Sequence, residues 1–407
     1  MTQSSIKRLL LGITGGIAAY KAAELLRLLI RQGIEVQVVM TQAACQFITP
    51  VTLQALSGKP VFTDLWDDRI DNGMAHIEFT RDTDAILIAP ASADFIAKLA
   101  HGAADDLLST ICLARGACPL MVAPAMNVEM WQHPATQRNL VQLQQDGVLM
   151  LGPDSGEQAC GETGIGRMLE PQTLFEEMEV ARQPKLLAGK RLLVTAGPTF
   201  EAIDAVRGIT NLSSGKMGYA IARAAREMGA EVTLVSGHSH LEPPHGAKFF
   251  KVTSTQQMLG AVMENINGQD IFVSVAAVAD YYVLNPSEQK IKKDAHILTL
   301  ELAPNPDILA NVVNLPNAPF CVGFAAESEN LLEYAEHKRR RKSLPLLAAN
   351  LIQDAFGGDE SELVLLDDKG AHPLPRAPKL VLARQLLRHV VRMMDENKKP
   401  ERKKSKE

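Results

Sequence analysis

The sequence predicts an α/β protein of two doubly wound domains with mostly parallel sheets. Three observations predict it. Short, nearly unbroken apolar runs recur at residues 7–13, 36–40, 85–89 and 120–123, and again at 191–196, 231–235 and 270–277; strands covered by helices on both faces read this way. Helix-period segments stand between the runs, as at residues 18–32 and 217–228. Tight turns carrying glycine or proline join strand to helix, so the alternation is β-α-β with short connections. At 407 residues the chain is also too long for one core, and about two or three domains are expected.

The totals exclude several classes. The chain is 46% hydrophobic and 22% charged, with only 5% aromatic residues and a net charge of −5. Few aromatics disfavour a base-stacking platform, and the acidic balance disfavours polyanion binding, so no nucleic-acid partner is expected. Five cysteines (45, 112, 118, 160, 321) are odd and sparse; this is no disulfide framework and implies a reducing compartment. The N-terminal apolar run is cut by Gly12, Gly15 and Gly16, too short and broken for a signal peptide or a membrane span. A cytoplasmic protein without a membrane partner is expected.

In chain order, residues 7–13 form the first strand, Thr14-Gly15-Gly16 a turn, residues 18–32 a helix and 36–40 the second strand. Amides at that helix start suit a phosphate, although the glycines do not spell G-x-G-x-x-G. Thr41 follows the second strand directly, which puts it at the edge where open α/β sheets bind ligands. The third strand, 85–89, is ended by Pro90, and Ser92 and Asp94 cap the next helix. Residues 120–123 make a fourth strand, ended by Pro124 in Pro-Ala-Met-Asn-Val-Glu-Met-Trp131. Asn127 there is either a turn residue or a hydrogen-bonding group at the ligand edge. His76 is the only histidine among residues 1–100, in a segment without strong pattern. Residues 152–167 hold five glycines in sixteen; they read as a mobile flap, and a cysteine on it, Cys160, has a chemical task sooner than a packing one.

His76, Ala-Pro-Ala-Ser-Ala-Asp94, the run 98–110, the motif around Asn127 and Ala159-Cys-Gly-Glu-Thr-Gly-Ile-Gly-Arg-Met168 together resemble the FMN-binding cysteine decarboxylases, in particular the phosphopantothenoylcysteine decarboxylases. The resemblance spans most of residues 7–180 and implies a flavin-binding fold. It implies oxidation of the substrate thiol by FMN to a thioaldehyde, loss of CO2 into the C=S acceptor, and reduction of the enethiol; a bare cysteine carboxylate has no such acceptor, hence the redox cofactor. By motif position His76 acts or orients in the oxidative half, Asn127 holds the substrate carboxylate and Cys160 donates the proton in the reductive half. Gly15, Thr41, Ser92 and Ser109 carry over as FMN contacts. The family builds this site between protomers of a trimer.

A new β-α-β unit begins near residue 190, after a helix and a linker. Asn211-Leu-Ser-Ser-Gly-Lys-Met-Gly218 precedes its helix and reads either as a phosphate cradle or as an ordinary helix entry; it is not a Walker P-loop. Asp280 lies just past an apolar strand, and Lys290-Ile-Lys-Lys293 follows. Lys338 and Lys342, four apart, share a helix face, and this basic face with the lysine run suggests a triphosphate site. With Thr195-Ala-Gly-Pro-Thr199, Ser274-Val-Ala-Ala-Val-Ala-Asp-Tyr281, Asn305-Pro-Asp-Ile308 and Gly323-Phe-Ala-Ala-Glu327, these runs resemble phosphopantothenate–cysteine ligase, which bacteria commonly fuse behind the decarboxylase. The resemblance implies activation of the 4′-phosphopantothenate carboxylate by CTP as an acyl-cytidylate, which the L-cysteine amine then attacks. Lys290 would stabilise cytidylate formation and Asn211 would act in its conversion. Ser274, Val275, Ala276, Asp280, Asn305, Pro306, Asp307, Ile308, Phe324, Lys338 and Lys342 would contact CTP. Mg2+ is expected with a triphosphate, its protein ligands unassigned. Arg207 is a candidate for a dimer contact or the pantothenate phosphate.

The expected organisation is therefore two Rossmann-like domains, a decarboxylase at 1–188 and a ligase at 189–395, with a basic disordered tail at 396–407 that carries six Lys or Arg. Trimers and dimers would combine into a dodecamer. A flavin prenyltransferase would need neither the Cys160 flap nor a second domain, a nicotinamide oxidoreductase would want G-x-G-x-x-G, and a regulatory binding relative could lose His76 or Cys160. His238, His240 and His245 depart from the family's loop and have no assigned role.

Overall fold

The computed structural model describes residues 6–69, 74–81, 83–292, 298–327, 329–351 and 358–398. The chain divides into two compact units, Met1–Arg182 and Gln183–Glu407.

In the first unit the described residues form a five-stranded parallel sheet in the order Glu35–Met40, Arg8–Ile13, Ala85–Ala91, Leu120–Pro124, Leu149–Met150. Side chains alternate between two cores. Leu9, Leu11 and Ile13 face one with Leu87 and Met121, under helices Ala19–Arg31, Pro50–Ser57 and Pro171–Arg182. Leu10, Ile86 and Ile88 face the other with Phe95 and Leu108, under Ala93–His101, Leu107–Leu113 and Pro134–Gln145. Each such fully buried aliphatic side chain contributes about 1.5–3 kcal/mol, which is why apolar runs with no polar alternation become central strands. Order reverses between the strands Arg8–Ile13 and Ala85–Ala91, so the ligand crevice of this topology lies beyond their carboxyl ends.

The structure corrects three expectations here. The third strand does not stop at Pro90 but runs to Ala91 through a register irregularity, which absorbs the missing proline donor. A fifth strand, Leu149–Met150, adds to the four. The glycine-rich stretch is a hairpin of strands Asp154–Glu157 and Thr163–Arg167, not a patternless flap. It is anchored from outside itself: Met126 N donates to Gly166 O (2.9 Å). A Cβ on Gly164 would lie 2.6 Å from Val128 Cγ2, and one on Gly166 2.3 Å from Met126 O. Those glycines are there for close approach.

The second unit holds an eight-stranded sheet among its described residues: Lys248–Lys251, Glu231–Ser236, Arg191–Ala196, Ile271–Ser274, Phe320–Glu327, Leu346–Leu351, Glu360–Asp367, Gly370–Pro378. The first six are parallel and the last two antiparallel. Its switch point falls between Arg191–Ala196 and Ile271–Ser274. Helices Lys216–Glu227 and Lys379–Lys398 cover one face, and Thr255–Asn265, Ile308–Val313 and Leu331–Arg341 the other. The final strand carries Pro373, Pro375 and Pro378 at the sheet's rim. The last helix continues to Lys398, past the expected start of the tail at 396; the tail from 399 on lies outside the described residues. Among the described residues no helix is long and apolar enough to cross a membrane.

Candidate active sites

At the first unit's switch point, Thr14 ties the two strand ends together. Its hydroxyl donates to Pro90 O (2.8 Å) and accepts from Ser92 N (2.8 Å). Ser92 Oγ caps the next helix by accepting from Phe95 N (3.2 Å). A Cβ on Gly15 would meet Ala43 Cβ at 2.6 Å, so only glycine lets this turn lie against the 41–44 turn. There Thr41 Oγ1 accepts from Ala44 N (3.2 Å). Ser109 is buried, its hydroxyl spent in a capping box with Asp106. His76 sits on a short helix, Ala75–Arg81, and its buried Nδ1 has no hydrogen-bond partner among the described residues.

Asn127 and Cys160 come together. Asn127 Oδ1 accepts from Glu129 N (2.8 Å), capping Val128–Gln132. That leaves its amide donors facing the hairpin turn, where Nδ2 lies 3.4 Å from Cys160 Sγ and from Gln158 Oε1 and bonds the Glu162 carboxylate. Gln158 Oε1 also accepts from Val128 N (3.0 Å), and buried Lys21 fastens the hairpin's exit through Met168 O (3.1 Å) and Glu170 (2.7 Å). None of the hydrogen bonds described for His76 reaches this cluster.

The second unit's switch point is drawn together in the same manner. Thr195 Oγ1 accepts from Val275 N and Ala276 N (3.3 Å each), and Thr199 Oγ1 from Ala279 N (2.9 Å). Asn211 Nδ2 donates to Ala277 O (3.0 Å) and Val278 O (3.2 Å), which sets the Asn211 loop against the loop after Ser274. Asn305 donates to Ala279 O (2.9 Å) through its side chain and to Asp280 O (2.8 Å) through its backbone. Beside them Lys338 Nζ donates to Phe324 O (3.1 Å), and Lys342 pairs with Asp307 (2.5 Å), which also caps Ile308–Val313. Burial and the neighbouring Lys342 pull Lys338 below the ordinary lysine range. Burial works most strongly on Asp307 and would raise it, but the hydrogen bonds from Lys342 and Ala310 N together with the Lys342 and Lys338 charges outweigh it, and the carboxyl stays below its usual value. Lys342 is paired with Asp307, while Lys338 bonds only a backbone carbonyl and feels Glu327 and Asp307 at longer range, which leaves its ammonium available to a bound anion.

The flavoprotein family matches residues 1–181, and the DNA/pantothenate metabolism flavoprotein C-terminal domain matches residues 187–394. The chain is 51% identical to the coenzyme A biosynthesis bifunctional protein CoaBC of Vibrio cholerae, over 93% of this chain and 96% of the relative. It is 47% identical to CoaBC of Escherichia coli strain K12, over 96% and 98%. The chain belongs to the CoaBC family of bifunctional coenzyme A biosynthesis enzymes. The solved C-terminal domain of a CoaBC protein is 38% identical over 52% of this chain and 99% of that one, with a TM-score of 0.46.

Within this CoaBC chain several predicted residues stand differently from their motif reading. Ile308 is buried in the sheet's second core, so its side chain supports the Asn305–Asp307 turn from beneath. Arg207 grips Asp204 through Nε (2.9 Å) and Nη2 (2.5 Å) and donates to Ile291 O (2.9 Å), while Ile291 N donates to Asp204 Oδ2 (3.1 Å). This pair positions the loop bearing exposed Lys290; Lys293 lies outside the described residues. The Arg207 guanidinium holds Asp204 far below the carboxylate range. Thr14, Gln158, Glu162, Thr195 and Asp204, the partner of Arg207, were given no role of their own by sequence; Thr14 and Thr195 did carry a signal, at or next to a strand's carboxyl end.

His238 and His240 stack edge to face, 4.9 Å between centroids, but the described cluster with metal-ligand spacing is Asp367, His372 and His389. There both Nε2 atoms bond Asp367 (3.0 and 2.9 Å) and Arg392 donates to His389 Nδ1 (2.8 Å). A guanidinium only donates, so His389 carries its proton on Nε2, the atom a metal would need bare. The cluster is a hydrogen-bond network. Cys112 and Cys321 are buried, and burial pushes both thiols up to about 12.

Proposed function

We propose that the second unit ligates 4′-phosphopantothenate to L-cysteine with CTP and that the first decarboxylates the product to 4′-phosphopantetheine with FMN. The observation that carries the reading is the meeting of Asn127 and Cys160 under the hairpin, at the carboxyl edge of a sheet whose strand order matches flavin-binding doubly wound folds.

The residues present fit FMN. His76 Nδ1 is buried without a hydrogen-bond partner among the described residues, which suits a bound polar group, and the glycine turn at Gly15 with Thr41 and Ser92 edges the switch point. These residues would hold FMN; Ser109, spent in its capping box, would steady the helix start beside them. FMN supplies two-electron oxidation and re-reduction of the substrate's cysteine-derived carbons. His76 takes or orients the thiol-side proton. Asn127 Nδ2 holds the substrate carboxylate, a role supported by the Glu162 carboxylate it already binds. The hairpin excludes water and brings the Cys160 thiol, the proton donor to the enethiol carbon.

In the second unit, Lys338, Lys342 and the turn 305–308 would hold CTP with Ser274–Ala276, Asp280 and Phe324. Lys290 offsets charge on the α-phosphate as the pantothenate carboxylate attacks and pyrophosphate leaves. Asn211 orients the acyl-cytidylate for the cysteine amine, with CMP leaving. Mg2+ accompanies the triphosphate. The reading also carries a cytoplasmic homo-oligomer of trimers and dimers. The test is one assay with CTP, L-cysteine and 4′-phosphopantothenate, following CMP, CO2 and phosphopantetheine. Lys290→Gln should abolish CMP release while supplied phosphopantothenoylcysteine still loses CO2. Loss of both, or of neither, would overturn the division of labour.

A further inference from the structure

We propose that His238 and His240 bind the phosphate of a substrate, in a cavity of about 780 Å³ that opens beside Asn211. The proposal rests on the ligase reading and deepens it. His238 follows the strand Glu231–Ser236 after a single glycine, Gly237, next to the switch point and at the sheet edge where ligands bind. Ser239 fastens this loop to the Asn211–Gly218 loop: its hydroxyl donates to Ser214 O (3.2 Å) and accepts from Leu241 N (3.2 Å), while His238 N donates to Pro198 O (3.1 Å). The backbone that carries the two imidazoles is thus held in place, and the rings stand exposed and in contact with each other on the cavity wall.

The charge of the wall decides what it takes. Lys216 and Lys251 line it with the histidines, and no carboxylate does among the described residues. In a chain of net charge −5 that is a local reversal of sign. Lys216 pairs with Asp359 (2.7 Å), whose side chain is 88% exposed and so is easily exchanged for a ligand's anion. Two histidines with no third ligand, beside two ammonium groups, repel a divalent cation and suit an anion. The cavity is too large for phosphate alone, and Phe200, Leu212 and Leu241 give it an apolar side. Its occupant is a phosphate carried on a larger organic body. CTP and 4′-phosphopantothenate both meet that description.

The test is steady-state ligation by the full chain and its His238→Ala, His240→Ala and double variants, varying each substrate separately. Losing a charge-assisted hydrogen bond should raise the KM of a phosphate-bearing substrate on the order of tenfold per histidine. A rise for CTP assigns the triphosphate, and a rise for phosphopantothenate assigns its 4′-phosphate. The KM for cysteine and the decarboxylation of supplied phosphopantothenoylcysteine should not move, nor should any value in His245→Ala, since His245 does not line the cavity. His240→Asn, which keeps an N–H donor, should recover part of the loss. Unchanged KM for both phosphate-bearing substrates, or a fall in kcat alone, would overturn the proposal. A wild-type chain without CTP-dependent ligation would instead overturn the ligase reading.

Discussion

Glu227 ends the helix that begins at the Asn211–Gly218 motif, and it is wholly buried. Arg384, on the last helix, bonds its Oε2 at 2.5 Å, and Arg223 bonds its Oε1 at 3.2 Å. Arg384→Met keeps the side-chain bulk and removes the closer cation. Breaking a buried pair leaves a stranded charge at about 3–5 kcal/mol, and the surviving Arg223 contact sets the low end, about 3 kcal/mol. For a unit of this size that is a fall in Tm of about 6–12 °C. Calorimetry of the intact chain would read it as a shift in the transition that takes ligation with it, while the flavin-bound transition stays. Adding Glu227→Met should restore most of the loss, because no unpaired acid remains. A shift below about 2 °C in the single variant, or a double variant as unstable as the single, would refute the reasoning.

Three further outcomes are expected. Cys160→Ser should bind FMN and release CO2 but accumulate the enethiol, detected by its absorbance; full aminothiol yield would remove Cys160 as proton donor. Asp204→Asn should loosen the Lys290 loop, lower kcat for ligation by about tenfold and lower the Tm of the second unit, since a carboxylate held so far below its usual range stabilises the fold; an unchanged kcat would show that the pair does not position Lys290. Stability of the second unit should fall with acid in two stages. Burial pushes His389 below 6.5, so the unfolded chain takes its proton first and stability drops as pH falls through 6.5. Burial would raise Asp367, but hydrogen bonds from His372 and His389 outweigh it and hold it at about 2 from 3.8, so the second loss comes as pH falls from about 4 toward 2. His389→Asn should flatten the first stage in pH-dependent melts; a slope that persists would place the titration elsewhere.

The central strands were legible because burial on both faces leaves an unmistakable apolar run, and so was their order of alternation with helices. The hairpin around Cys160 was not. Local glycine content argues against a strand, and what makes one is Met126, some forty residues from Gly166, supplying the bond that holds it. The last two strands hid for a related reason: exposed on one side and broken by prolines, Gly370–Pro378 has none of the periodicity that marks a core strand. Lys338 and Lys342 could be paired from spacing alone, because a helix fixes i and i+4. Arg207 could not, since its partner Ile291 lies 84 positions away and is bonded through a backbone atom that no motif records. Ile308 shows what a motif does not record: it names contiguous letters, while a helix start sends neighbouring side chains to different environments, and the Ile308 side chain is in the core.

The prolines at positions 373, 375 and 378 lack the amide hydrogen by which a foreign strand would dock alongside. That margin is therefore closed to growth. The opposite rim, Lys248–Lys251, has no proline and is guarded by its two lysines instead.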